Sequence, residues 1–386
     1  MHLKGSTKKV NELLGSILPM AETLIIKRDF DSLRKIVSHL SAGVQTQIVP
    51  YSALFCYEII EYLNRHGNNI EVEQTGRYSI KDIRQKAKFF DLSINKLLQN
   101  VANVDEMQNE YFVNLMKYPQ LGYWNVHTNL GIFFDKEKRI VGNTHYEYYL
   151  FQDEKSISCS QNESSDFTLK GEEIKAFGYD MGRIIGSISS GFSSVSDFLV
   201  SDVLADPIKL NSQDFNTNRC TTTGNEKYKV VKLFMLHVLS SIGFILFCLK
   251  KVIIRDTGLL LRLEYITYHY ALIRLNGLLA YCQSHSSVID DPNLVRMLEA
   301  IDYANANGLR KKEFRNCMMH FALIDKDGNS LLEETKVDLS KPLCGLVESQ
   351  FDNSYYEYQA KIEEALSDLY YAIYGYLGFE LLLATD

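Results

Sequence analysis

Several familiar catalytic signatures are missing from this chain. It contains no H-E-x-x-H and no G-x-S-x-G, so neither the common zinc-protease nor the serine-hydrolase arrangement is encoded. No phosphate-binding glycine loop is present, since GYDMGRIIG at 178–186 has the wrong spacing for either common form. The seven cysteines, at 56, 159, 220, 248, 282, 317 and 344, include no C-x-x-C pair and are odd in number, which argues against a zinc ribbon and a disulfide framework. Cys248 and Cys317 stand within apolar runs and read as small buried hydrophobes in a reducing cytoplasm. An excess of basic charge is also lacking: 41 Lys and Arg against 48 Asp and Glu give a formal charge of −7. Any binding of nucleic acid must therefore come from a local patch or a shaped cleft.

What is present is enough for folded domains. At 386 residues, 46% hydrophobic and 23% charged, the chain has the balance of a soluble globular protein with room for two domains. The N-terminal stretch MHLKGSTKKVNELLGSILPMAE has a short apolar segment broken by Glu12 and runs into a helical pattern, so it is not read as a signal peptide. LFMLHVLSSIGFILFCL, residues 233–249, is seventeen residues with no acidic or basic side chain apart from His237. It sits at the lower length limit for a membrane span and is interrupted by His237, Ser240, Ser241 and Gly243, so a core or interface helix is expected, with no stable membrane association.

Periodicity divides the chain. Residues 1–118 are helix-like, with Val10, Leu13, Leu14, Ile17 and Leu18, then Leu54, Ile59, Ile60 and Leu63, at helical spacing. A small antiparallel sheet is expected over about 121–170: two strands in GIFFDKEKRIVG around a charged turn, a third in HYEYYLF, and short additions in ISCS (157–160) and DFTL (166–169). Helices are expected to resume over about 171–205, where Ile174, Phe177, Met181, Ile184 and Ile185 share a face. The polar stretch 206–226 reads as the linker that closes a first α+β domain, 1–226. Beyond it, helices are predicted at about 227–254, 257–284, 292–304, 308–323 and 354–382, with Asp256 and Asp291 before two starts and Pro292 in a first-turn position. The fold class expected is mainly α, with a C-terminal four-helix bundle over 227–386.

Two metal readings are weak. DKDGNSLLEETK at 325–336 resembles a calcium loop in its first five positions but has Ser330 where Gly is needed and Lys336 where a bidentate Glu is needed. His127 and His145, with Asp135 and Glu147 near them, lack a ligand spacing and read as strand-surface histidines. No metal and no cofactor is expected. The tyrosine-rich runs YITYHYAL and YYAIYGYLGF sit at helical spacing, as core or interface stripes do.

The segment FRNCMMHFALID, 314–325, places Arg315, Asn316 and His320 in an apolar helix. Arg310, Lys311 and Lys312 just upstream form the densest basic cluster of the C-terminal half, a candidate RNA-phosphate patch. On an ideal helix Asn316 and His320 share a face, whereas Arg315 and His320 diverge by about 140°. One chain therefore does not close a compact Arg/His site, but two chains about a two-fold axis can.

This R-N-x3-H pattern on a late helix of the C-terminal bundle resembles the HEPN superfamily, over residues 227–386. The resemblance implies a metal-independent endoribonuclease that acts as a homodimer with a composite site. Arg315, Asn316 and His320 occupy the matching catalytic positions. It further implies a cytoplasmic toxin or anti-phage effector held by an antitoxin or an activating trigger, with RNA, tRNA among the candidates, as substrate. Ala322 stands where one toxin branch carries a modified tyrosine, so that regulation is not implied. The chemistry suits the residues: histidine moves a proton near neutral pH, and arginine stabilises charge on the phosphoryl oxygens. The expected products carry 2′,3′-cyclic phosphate and 5′-hydroxyl ends. The alternative is a catalytically silent HEPN-like dimerisation or RNA-binding module.

Overall fold

The computed structural model describes residues 4–39, 42–66, 74–88, 93–115, 128–151, 166–191, 208–217, 226–253, 258–285, 289–306, 308–333, 336, 338, 339 and 341–378. The chain begins with two long helices, α1 (Lys4–His39) and α2 (Ala42–Arg65), followed by α3 (Ile80–Lys88) and α4 (Ile94–Leu115). Both long helices contain an internal proline, Pro19 and Pro50, which removes one backbone donor. The Thr23 hydroxyl donates to the Pro19 carbonyl at 2.8 Å.

A three-stranded antiparallel sheet follows, in the order β2-β1-β3: β1 (Leu130–Phe134), β2 (Ile140–Asn143) and β3 (Asn211–Phe215). The β1/β2 hairpin closes where expected, because Asp135 Oδ1 accepts from the N–H groups of Glu137 and Arg139, each at 2.9 Å. Three expectations are corrected around it. HYEYYLF is the helix α5 (Thr144–Leu150): Asn143 Oδ1 accepts from Tyr146 N at 2.7 Å, and this cap turns an aromatic-rich run into a helix burying His145, Tyr146, Tyr149 and Leu150. DFTL opens the helix α6 (Asp166–Gly191), whereas ISCS lies outside the described residues. The stretch read as a linker contributes β3, whose alternating polar side chains hid it.

The remainder is helical. Helix α7 (Glu226–Gly243) runs on through a π-helical segment (Phe244–Leu249) and a last turn (Lys250–Val252). It is followed by α8 (Gly258–Ser284), α9 (Pro292–Ala304), α10 (Lys312–His320), α11 (Pro342–Gln350) and α12 (Tyr355–Leu377). Asp291 caps α9 as expected, accepting from Asn293 N and Leu294 N, with Pro292 in the first turn. A Ser354/Glu357 capping box starts α12, and Gly378 at φ 66° stops it. Helix α8 packs on α7, α9, α10 and α12, and α12 packs on α7, α9 and α11.

The apolar segment Tyr228–Val252 is the single described helix long and apolar enough to cross a membrane, and 78% of its apolar window is buried inside the fold. It serves as a core helix. At Gly243 it crosses β2 so closely that a Cβ would lie 2.0 Å from the Ile140 carbonyl oxygen, and Tyr370 of α12 bonds the Ile140 N–H at 2.8 Å. One continuous apolar core joins residues from both sides of position 226, from Ile25 and Phe55 to Leu275 and Leu366.

Candidate functional site

Helix α10 carries the motif, and its end is fixed by a buried arginine. Arg262, on α8 and 0% exposed, donates from Nε to Asp29 Oδ2 of α1 at 2.6 Å. Its Nη1 donates to the carbonyls of Cys317 at 3.0 Å and Met318 at 2.7 Å. Those carbonyls belong to the last turn of α10; the Cys317 carbonyl also accepts from the Phe321 N–H at 2.9 Å, and Arg262 supplies a donor to the Met318 carbonyl beyond it. The guanidinium also lies 4.4 Å from the centre of the Phe321 ring, and Phe321 itself ends the helix in the left-handed region at φ 60°. Burial raises the Asp29 carboxyl above its ordinary range, against the lowering pull of Arg262.

This anchorage presents His320 to α2. His320 Nδ1 lies 2.8 Å from Glu58 Oε2. The Glu58 side chain is 4% exposed and that of His320 is 37% exposed, so the carboxylate is internal and the ring reaches the surface. Glu58 Oε1 accepts in turn from Arg84 of α3, at 2.7 Å from Nε and through a closer Nη2 contact. The Arg84 guanidinium sits 4.4 Å from the Tyr57 ring centre. Burial acts to raise the Glu58 pKa, but the His320 bond and charge and the Arg84 charge outweigh it and hold the carboxyl below its usual range. A carboxylate on Nδ1 places the ring proton there and leaves Nε2 as the basic nitrogen. It is the arrangement of an oriented general base.

The other motif residues divide between two faces. Asn316, half-buried, stands one turn before His320 on the same face. Arg315 stands on the side of α8: its charge and that of Arg310, after burial, push His269 down to about 4, and both also act on Tyr265. Met319 marks this side too, its Sδ accepting from the Tyr270 hydroxyl at 2.9 Å. Arg315 and His320 of one chain therefore sit on separate faces, as the helical spacing predicts. The basic patch is divided as well. Lys311 bonds the Gln350 carbonyl and lies 5.1 Å over the Phe351 ring; it is exposed, as is Lys312, and the Arg310 charge acts on His269.

Neither of the two weak metal readings gains a ligand set among the described residues. Asp325 accepts from the N–H groups of Asp327 and Asn329 and closes a turn. Among the described residues no three His, Cys, Asp or Glu side chains converge in a way that would hold an ion. His127 lies outside the described residues. His145 is corrected: it is buried on α5, with Nδ1 2.8 Å from Nε2 of the equally buried His237 on α7. Burial, then the Lys229 charge, pushes His145 down to about 3, and burial with its neighbour pushes His237 well down.

Sequence reasoning missed Glu58, Arg84, Asp29 and Arg262. The available signal was Glu58 itself, an acid one turn after Leu54 on the apolar face of α2. Compared with known proteins, the chain matches no family profile, and no curated protein or solved structure is detectably similar to it.

Proposed function

We propose that the chain is a metal-independent endoribonuclease in which His320 is the proton-transfer group, with a HEPN-like C-terminal helical domain. The observation that supports this reading is the Glu58–His320 pair: a buried carboxylate 2.8 Å from Nδ1 of a ring whose side chain is 37% exposed. In the reaction, Nε2 of His320 takes the 2′-hydroxyl proton as the 2′-oxygen attacks phosphorus. The P–O5′ bond breaks, the 5′-oxygen acquires a proton, and the products are a 2′,3′-cyclic phosphate and a 5′-hydroxyl.

Charge on the phosphoryl oxygens requires a fixed cation, for which Arg315 has the right chemistry. Because Arg315 faces away from His320 of its own chain, the reading calls for a homodimer. A second copy then supplies the arginine and the second histidine, which protonates the leaving oxygen. Asn316 orients phosphate beside His320, and Arg310 and Lys312 guide the RNA backbone. A cytoplasmic toxin or anti-phage effector restrained by an antitoxin or a trigger is the biological role that fits such an activity.

One observation favours a second reading, a silent dimerisation or RNA-binding module. Glu58 bonds both Arg84 and His320 and so ties α2, α3 and α10 together, which is a sufficient structural use for it. Cleavage of total RNA in excess EDTA by wild type, Arg315→Ala and His320→Ala separates the two. The enzyme reading requires loss of cleavage in both variants, with dimer and RNA binding retained.

A further inference from the structure

Arg84 and His320 share one carboxylate. Arg84, on α3, donates from Nε and Nη2 to Oε1 of Glu58, while Oε2 of the same group faces His320 Nδ1. The two oxygens of a carboxylate are about 2.2 Å apart, so these contacts bring the guanidinium and the imidazole of one chain within roughly 8 Å of each other. Arg315, by contrast, faces away from His320 on their common helix.

The sharing leaves part of Arg84 uncommitted. Its third nitrogen, Nη1, has no hydrogen bond among the described residues. Unlike Nη2 of Arg262, which is buried without a partner, Nη1 of Arg84 is open to solvent on a side chain that is 14% exposed. The Tyr57 ring, 4.4 Å from the guanidinium carbon, and the Glu58 carboxylate together fix the plane of the group. The Glu58 and Arg84 charges cancel, so the pair does not repel an anion that approaches His320, and a proton taken up by the ring makes the cluster positive. A nucleotide fits the separation: its 2′-hydroxyl can meet the imidazole and its phosphoryl oxygen the guanidinium, with hydrogen bonds of about 2.8–2.9 Å at each end.

We infer that Arg84 is a catalytic residue of the same chain as His320, its Nη1 donating to a non-bridging oxygen of the scissile phosphate. The inference rests on reading His320 as the proton-transfer group of RNA cleavage. As the 2′-oxygen bonds to phosphorus and the 5′-oxygen leaves, negative charge grows on the non-bridging oxygens, and a fixed guanidinium stabilises it without gaining or losing a proton. Each His320 then has a cation of its own chain beside it, whatever the partner's Arg315 adds.

The test joins phosphate binding to cleavage kinetics in the full chain. Inorganic phosphate is titrated into wild type, Glu58→Gln and the double variant Glu58→Gln/Arg84→Met, which removes both charges and so leaves no buried carboxylate unpaired. Binding is expected to be retained in Glu58→Gln and at least fivefold weaker in the double variant. Equal binding by those two, or none by wild type, overturns the inference. In Arg84→Lys, which keeps a cation for Glu58 but not the planar fork, kcat should fall by at least about tenfold with KM little changed, since removal of one preorganised donor costs roughly 10² or more. RNA cleavage that Arg84→Lys leaves unaltered keeps the ribonuclease and reduces Arg84 to a tie between helices. Phosphate binding that depends on Arg84, in a protein that cuts no RNA, removes the ribonuclease and with it the catalytic role, leaving an anion site. If the double variant does not fold, phenylglyoxal labelling of Arg84 in wild type is read by peptide mass spectrometry: protection by phosphate is expected, and labelling that phosphate does not slow is contrary.

Discussion

His320 and Glu58 are 262 residues apart in the chain and 2.8 Å apart in the fold. The contact needs three helices placed correctly at once. Helix α10 is held by Arg262, α2 delivers the buried carboxylate, and α3 supplies the Arg84 charge that keeps it ionised. A half-exposed imidazole gains from this a fixed tautomer and a fixed orientation. Those are the properties a general base requires and a solvated surface histidine lacks.

Glu58→Gln should therefore impair turnover more than binding. Cleavage is expected to fall by about 10² or more, by analogy with the cost of losing the carboxylate that orients a catalytic histidine. KM should change little. Steady-state kinetics on a short RNA, with circular dichroism to confirm folding, gives the answer. Unchanged turnover would mean that Glu58 is only a structural tie.

Arg262→Met should be among the most damaging substitutions away from the surface. It leaves Asp29 buried without its partner and removes the donor to the Cys317 and Met318 carbonyls. Breaking one side of a buried pair costs about 3–5 kcal/mol. The double variant Arg262→Met/Asp29→Leu should recover part of that loss but not all, because the Met318 carbonyl still loses its Arg262 donor. Urea denaturation of both variants measures the difference.

How far the sequence revealed these relationships depended on distance along the chain. Local rules located α8, α9 and α12 within a few residues, because periodic apolar faces, the Asp291 cap and short turns are all near-neighbour properties. They also predicted that Arg315 and His320 diverge. They failed at HYEYYLF, where one cap and burial on α7 overrode β propensity, and at β3, whose strand identity comes only from pairing with β1. Glu58, Arg84 and Arg262 were invisible for the same reason. Their roles come from partners about 26 to 262 positions away, which no window of spacing reports.

A buried acid on α8 should make stability fall as pH rises. Burial, opposed by the Gln359 bond and reinforced by Glu363, holds the Glu264 carboxyl up to about 8, so the fold binds a proton that the unfolded chain releases near 4.5. Between those values the folded state carries more protons, and stability declines with increasing pH. Glu264→Gln keeps the amide acceptor for Gln359 and removes the proton. It should raise stability at pH 7 to 8 and flatten that slope in chemical denaturation.

The His145–His237 pair predicts the opposite sign. Both rings are buried and resist protonation, His145 down to about 3, whereas in the unfolded chain they protonate near 6.5. Below 6.5 the unfolded state therefore binds more protons, and stability falls as pH drops towards 3. Replacing both, as His145→Phe/His237→Leu, should make the melting temperature less sensitive to pH between 6 and 4. An unchanged acid slope would place its origin elsewhere.

The most direct test of the central claim is cleavage of total RNA and tRNA by purified protein in excess EDTA, with wild type beside Arg315→Ala and His320→Ala. The account predicts cleavage by wild type alone, leaving 2′,3′-cyclic phosphate and 5′-hydroxyl ends, with losses of about 10² to 10⁴ for His320→Ala. Equal cleavage by all three, or none by a wild type that dimerises and binds RNA, would contradict it and leave the Glu58–His320 pair as a tie between helices.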